Sequence, residues 1–284
     1  MQKPQRRLRL LLSAALAVVL TMLTVTPASA APGRANGKNN RVIFVHGFAP
    51  TGKHDCTDYF SAARGHFAKK GWRGNLLTFG YYSGNKKCSY NYRGSRDTSL
   101  KTVAKAFANY VYKNYSNPKK NVKVDVVAHS MGGLVVRAAL HHTAKGTAGF
   151  PPRLYIEDVV TLGTPHGGTN WGNVCAAGWQ QCADMKPNSA FLKSLPNAMP
   201  NSRMGTDWTT VSSFDDAIVS EASGIAGIAE HEVQYDAGIG HNELNTVRSG
   251  THRSRIKHST WGKWFKRMAP VEQARLAVYF SSAT

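Results

Sequence analysis

The chain has 284 residues and carries 36 Lys and Arg against 16 Asp and Glu, a formal net charge of +20. Its length is enough for one large domain with a substantial core. The charge suits anionic membranes or acidic polymers, yet no C2H2, RNP or helix-turn-helix pattern accompanies it, so nothing supports specific nucleic-acid recognition.

The first thirty residues read as a secretory leader. Lys3, Arg6, Arg7 and Arg9 form a basic start, Leu8 to Val25 is mostly apolar, and Ala28-Ser29-Ala30 supplies a small-residue cleavage pattern. A membrane anchor is disfavoured because the A-x-A site follows the apolar run directly. Cleavage after Ala30 removes four positive charges and no acid, leaving +16 on the secreted part. Residues 31–40, APGRANGKNN, read as a flexible leader.

From Arg41 onward, short apolar runs alternate with helical patterns. The runs are RVIFV, NLLTF, VKVDVVA, IEDVVTLG, WTTVSSF and EVQY. Between them, DYFSAARGHFAKKG, LKTVAKAFANYVYKNY and GGLVVRAALHHTA repeat apolar residues at three and four. Nearly continuous apolar strands alternating with helices predict an α/β fold, a mostly parallel sheet with helices on both faces. Asn170 to Asp207 breaks the alternation with two cysteines and several prolines, and reads as an excursion over the sheet edge. Residues 41–250 are taken as the main domain and 251–284 as a basic C-terminal extension, with Pro270 opening a last helix.

The four cysteines, Cys56, Cys88, Cys175 and Cys182, all lie beyond the leader and none is in C-x-x-C spacing. In an oxidising compartment an even count implies two disulfides. Cys175 and Cys182 sit within one loop, and Cys56 and Cys88 each follow an early strand, so the pairs 56–88 and 175–182 are expected.

The segment with the most chemistry is DVVAHSMGGLVVRAAL. An apolar strand ends at His129, Ser130 follows, and a helix opens with Gly132-Gly133. A turn this sharp leaves little room for side chains two residues either side of the serine; Gly132 meets that condition, and Ala128, standing where glycine is usual, is the smallest alternative. This is the context of a nucleophile elbow.

A serine nucleophile needs a base and an orienting acid, in the order Ser, acid, His along such a chain. Of the later histidines, His231 begins a strand at the wrong end of the sheet, and His252 and His258 lie in the basic tail. His241 follows EVQY through the Gly-rich loop DAGIGHNEL, where a base belongs. WTTVSSFDDAIVS offers Asp216 as the acid, with Asp215 as the alternative. After RVIFV, the turn His46-Gly47-Phe48 places the Phe48 N–H for an oxyanion, with the Met131 N–H as its partner. His54, Asp55, Asp58 and His66 match no metal-ligand spacing, and neither a metal nor an organic cofactor is expected.

On VIFVHGF, VDVVAHSMGGLVVR, VVTLGTPHGGT, KPNSAFLKSL, SSFDDAIVS and GIGHNEL, roughly Arg41 to Leu244, the chain resembles the class 2 (triacylglycerol) lipases of the α/β-hydrolase superfamily, small secreted bacterial enzymes. The resemblance implies Ser130 as nucleophile, His241 as base and Asp216 or Asp215 as acid, with the Phe48 and Met131 amides at the oxyanion. It implies that TPHGG walls the site, with His166 structural. SAFLKSL then covers an acyl pocket through Phe191, Leu192 and Leu195, or simply packs in the core. The implied activity is hydrolysis of lipid or acyl esters by a secreted monomer. An acyltransferase on the same triad and a silent α/β-hydrolase binding module are the alternatives. The basic stretch Arg248 to Arg267 is a candidate for weak binding to anionic surfaces.

Overall fold

The computed structural model describes residues 30–171, 175 and 178–280, so the expected leader lies, except for Ala30, outside the described residues. Nine strands form one sheet: β1 (Arg41–Val45), β2 (Leu76–Gly80), β3 (Tyr90–Asn91), β4 (Val124–His129), β5 (Ile156–Leu162), β6 (Asp207–Ser213), β7 (His231–Tyr235), β8 (Thr251–Lys257) and β9 (Phe265–Met268). Their order is β3-β2-β1-β4-β5-β6-β7-β8-β9. All pairings from β3 across to β7 are parallel, and β8 and β9 add antiparallel strands. The sheet is thus mostly parallel, as the alternation of apolar runs and helical patterns predicts.

The helices are α1 (Cys56–Tyr59), α2 (Ser61–Lys69), α3 (Leu100–Val111), α4 (Met131–Ala144), α5 (Gln180–Met185), α6 (Ala190–Lys193), α7 (Glu221–Gly224), α8 (Glu243–Thr246) and α9 (Pro270–Ala277). In α3 the buried residues Leu100, Val103, Ala104, Phe107, Ala108 and Val111 recur at three and four, one apolar stripe on a helix. Ser99 caps its start by accepting from the Thr102 N–H at 3.2 Å. Successive residues of β1 feed opposite faces of the sheet. Ile43 and Val45 join one buried cluster with α3 and α4, while Val42 and Phe44 join another with α2 and α9. Both faces are therefore covered, as the continuous burial of β4 and β5 requires.

Three strands stand outside the six apolar runs of the sequence. β3 has two residues, too short to show a pattern. β8 and β9 lie in the basic segment, whose charges hide the alternation: Ser254 is buried and Ile256 half-buried on one face. On the other, Lys257 pairs with Glu232 at 2.9 Å and Arg255 donates to Gln234 at 2.6 and 2.9 Å across the β7–β8 pair. The Arg255 guanidinium also lies 4.3 Å from the Trp261 ring and 4.8 Å from the Trp264 ring. The boundary expected at residue 250 therefore has no counterpart in the sheet, because the extension completes it.

Residues 31–40, expected to be flexible, are tied to the start of β5. Arg34 meets Asp158 at 2.9 Å, the Ala35 N–H donates to Glu157 at 2.7 Å, and Asn40 donates to Glu157 at 2.9 Å. The disulfides are Cys56–Cys88 and Cys175–Cys182. No helix among the described residues is long and apolar enough to cross a membrane.

Candidate active site

In a parallel sheet the carboxyl ends of the strands share one edge, and the loops that leave them converge there. The loop after β1 carries His46, Gly47 and Phe48; the turn after β4 carries Ser130; Gly163 follows β5; Asp215 and Asp216 follow β6; His241 follows β7.

Ser130 sits between β4 and α4 with φ 55° and ψ −133°, a left-handed conformation that costs energy for any residue with a Cβ. The surroundings enforce it. A Cβ on Gly132 would stand 2.4 Å from the Val45 carbonyl oxygen, and one on Gly133 would stand 2.1 Å from Thr164 Oγ1. Both glycines therefore let α4 press against the neighbouring strand ends. The Ser130 N–H bonds the Leu162 carbonyl at 2.8 Å, and its own carbonyl accepts from Thr164 at 2.7 Å.

The side chains meet in a line. Ser130 Oγ lies 2.9 Å from His241 Nε2, and His241 Nδ1 lies 2.7 Å from Asp216 Oδ2. Asp216 is itself fixed, because Oδ1 accepts from the N–H groups of Ile218 at 2.8 Å and Val219 at 2.9 Å. A carboxylate so held leaves one oxygen for His241, which must then carry its proton on Nδ1 and offer Nε2 to the serine. Asp215 points elsewhere and accepts from the Gly238 N–H in the loop before His241.

The loop after β1 runs beside the serine. A Cβ on Gly47 would be 2.7 Å from Ser130 Cβ and 3.2 Å from its Oγ, so only glycine fits there. Tyr81 donates its O–H between the carbonyls of His46 at 2.6 Å and Gly47 at 2.8 Å, and Asn85 Nδ2 is 2.9 Å from His46 Nε2. These bonds fix the turn that carries the Phe48 amide. Met131 is the first residue of α4, where the N–H has no acceptor within the helix.

The imidazoles around the site are held neutral. Burial, with His54 nearby, pushes His46 well below the ordinary histidine range. Burial, with the neighbouring His241 ring, brings His129 down to about 3. His166 is buried too and is held well below its usual value by that burial and by Arg137. His166 Nε2 is 3.0 Å from Thr161 Oγ1, and Arg137 donates to its carbonyl at 3.3 Å, which makes it part of the scaffold under the turn.

Phe191 and Leu195 are buried in the cluster that also holds Phe48 and Met131, and Leu192 packs against it. The ring of Phe48 has two further neighbours, Trp171 at 6.3 Å and Trp179 at 5.9 Å between centroids. Neither indole had a signal of its own in the sequence, since both lie in the irregular excursion. Gly163 was also unmarked: it holds φ 58°, and a Cβ there would stand 3.0 Å from Asp216 Oδ2 and 3.2 Å from His241 Nδ1. The segment LGTPHGG was the one hint of it. The remaining candidate ligands are dispersed. Asp55 caps α1 and pairs with Lys87 at 3.0 Å, whereas His66 pairs with Glu272 at 2.6 Å.

Residues 98–230 match a family described as a domain of unknown function, DUF7379. No curated protein matches the chain. Among solved structures it is similar to the mature lipase BlEst2 of Bacillus licheniformis, at 17% identity and a TM-score of 0.46, covering 76% of this chain and 90% of that one. It is similar to the phospholipase PlaB from Legionella pneumophila in complex with thio-NAD, at 16% identity and a TM-score of 0.47, covering 66% of this chain and 44% of that one. Lipase B of Aspergillus fumigatus gives 16% identity and a TM-score of 0.47, covering 70% and 44%. The chain thus spans less than half the length of the Legionella and Aspergillus proteins.

Proposed function

We propose that this chain is a secreted serine hydrolase that cleaves the carboxylic ester bonds of lipids or other acyl esters. The observation that carries this reading is the line Ser130 Oγ, His241, Asp216, with contacts of 2.9 and 2.7 Å, built on a serine held at φ 55°. A serine that was only part of a turn would need neither the strain nor an oriented base.

The reaction follows from that geometry. Ser130 Oγ attacks the ester carbonyl carbon while His241 Nε2 takes its proton. Asp216 holds the Nδ1 proton and stabilises the imidazolium that forms. The developing oxyanion is received by the amides of Phe48 and Met131, at the two loops that flank the serine. Collapse breaks the ester bond, and the departing alcohol takes the proton from His241. Water then repeats the sequence on the acyl-enzyme, releasing the acid and restoring Ser130. Phe48, Trp171 and Trp179, with Phe191, Leu192 and Leu195 packed in the same cluster, supply apolar surface for the acyl chain. The two disulfides support an extracellular setting, and so does the secretory pattern expected to end at Ala30.

The test is hydrolysis of nitrophenyl esters from acetate to palmitate by the wild-type protein and by Ser130→Ala. The substitution should lower turnover by about four orders of magnitude or more while the protein stays folded. A fluorophosphonate should label Ser130. Folded Ser130→Ala cleaving short esters at the wild-type rate would overturn the proposal.

A further inference from the structure

We propose that Tyr59 and His129 are positioning residues for His241, joined in a hydrogen-bonded chain that sets the base and the loop after β1 in register. This rests on the reading of Ser130, His241 and Asp216 as a hydrolytic triad.

The chain has three bonds. The Gly47 N–H donates to the Tyr59 hydroxyl at 3.1 Å, that hydroxyl lies 2.5 Å from His129 Nδ1, and His129 Nε2 lies 2.9 Å from the His241 carbonyl oxygen. Its direction is determined at both ends. A carbonyl oxygen can only accept, so Nε2 of His129 carries the proton. Nδ1 then offers a lone pair and must receive the Tyr59 O–H. The Tyr59 oxygen is left with lone pairs, and it takes the Gly47 N–H. The opposite tautomer would set the Nε2 lone pair against the carbonyl oxygen and leave Nδ1–H facing a hydroxyl that already accepts. His129 is buried, and its burial keeps the ring neutral, so that the pattern holds at working pH.

The Gly-rich loop before His241 explains what the chain is for. Gly238 sits at φ 87° and Gly240 follows two residues later, so the backbone entering His241 is intrinsically free. The ring of His241 must nevertheless present Nε2 to Ser130 and Nδ1 to Asp216 at once. The bond from His129 holds the His241 backbone to the residue directly before the nucleophile. At its far end the chain holds Gly47, whose successor Phe48 carries the proposed oxyanion amide. Base, nucleophile and oxyanion loop are thereby linked through one phenol and one imidazole.

The experiment uses the whole secreted protein with Tyr59→Phe, His129→Gln and the double variant, assayed with nitrophenyl butyrate well below their melting temperatures. Tyr59→Phe removes one oxygen from a half-buried ring, so folding is retained even if His129→Gln proves unstable. Each single variant should lower kcat by roughly tenfold to a hundredfold, the cost of a small misplacement at a reacting centre, with KM within about twofold. The double variant should fall no further than the worse single one, because both break one chain. Singles that melt earlier but keep wild-type kcat would overturn the proposal, as would a double loss equal to the product of the two. Nitrogen-15 NMR of His129 gives a readout independent of turnover: a neutral ring protonated on Nε2 is expected, and protonation on Nδ1 would overturn the chain. Should wild-type protein fail to hydrolyse any ester, the hydrolase reading falls, while the NMR result still decides the hydrogen-bonded chain.

Discussion

At the scale of single residues, the site depends on where side chains are absent as much as on where they are present. Gly163 shows this most directly, because a methyl group there would press on both Asp216 and His241. Gly163→Ala should therefore lower kcat by about ten- to a hundredfold, since a displacement well under 1 Å disturbs two reacting contacts together. A nitrophenyl ester assay on folded protein checks it. The two neighbouring carboxylates should separate cleanly. Asp216→Asn removes the acceptor that selects the His241 tautomer and should lower kcat by about 10⁴-fold. Asp215→Asn keeps an oxygen for the Gly238 N–H and should stay near wild type. Equal losses in the two variants would contradict the assignment. The sequence favoured Asp216 and kept Asp215 as the alternative, since adjacent residues in a loop share nearly the same pattern and only backbone direction tells which carboxylate faces the histidine.

At the scale of elements, the apolar strands were legible because burial on both faces forces a continuous apolar run. RVIFV, VKVDVVA and IEDVVTLG hold β1, β4 and β5, and the turn at Ser130 lies between β4 and α4 as the strand-then-helix pattern predicts. β8 and β9 were not legible. Their charges satisfy partners on β7 that no local reading could supply, and Arg255 gains its setting from two indoles brought over it by a loop. The disulfide Cys56–Cys88 ties the start of α1 to the loop before β3, closing 32 residues of chain. Replacing both cysteines by serine should cost about 3 to 4 kcal/mol in the chain-entropy view. Urea unfolding of the variant against wild type measures it, and a change below about 1 kcal/mol would show that the loop is already ordered without the bond.

At the scale of the whole molecule, buried titratable groups set how stability depends on pH. His46, His129 and His166 are fully buried and their folded values lie below the ordinary 6.5, with His129 at about 3. Above pH 6.5 they are neutral whether folded or not, and their contribution is complete. As pH falls below 6.5, only the unfolded chain takes up these protons, so stability drops by as much as about 1.4 kcal/mol per unit for each histidine. Two acids act in the opposite sense. Asp125 is raised well above its usual range by burial and by Asp158 and Glu157, and Asp158 rises to about 8 by burial and Glu157, against the pull of Arg34. These groups stay protonated only in the folded state, so their contribution is lost as pH rises from 3.8 towards 8 and beyond. Stability should therefore peak between about pH 6 and 7, as thermal melts across pH 4.5 to 9 would reveal. Asp125→Asn should raise stability at pH 8 by about 1 to 3 kcal/mol and change it less at pH 5, flattening the alkaline side. An unchanged alkaline limb would exclude Asp125 as its source.

The sequence by itself determined the layered architecture, the position of the turn at Ser130 and the order in which the aspartates and His241 follow it. Those features are written in local steric and solvation rules: apolar runs for two-sided burial, small residues around a sharp turn, and a glycine-rich loop before His241. What only the tertiary structure decided depends on contacts between residues far apart in the chain. It set Asp216, the favoured candidate, and not Asp215 against His241, bound residues 31–40 to Glu157 and Asp158, and folded the basic extension into the sheet. It also brought Tyr59 and His129, 70 residues apart, within hydrogen-bonding distance. A hydrogen bond carries no trace in the sequence when both partners have ordinary neighbours, and it exists only once the strands between them have taken their order.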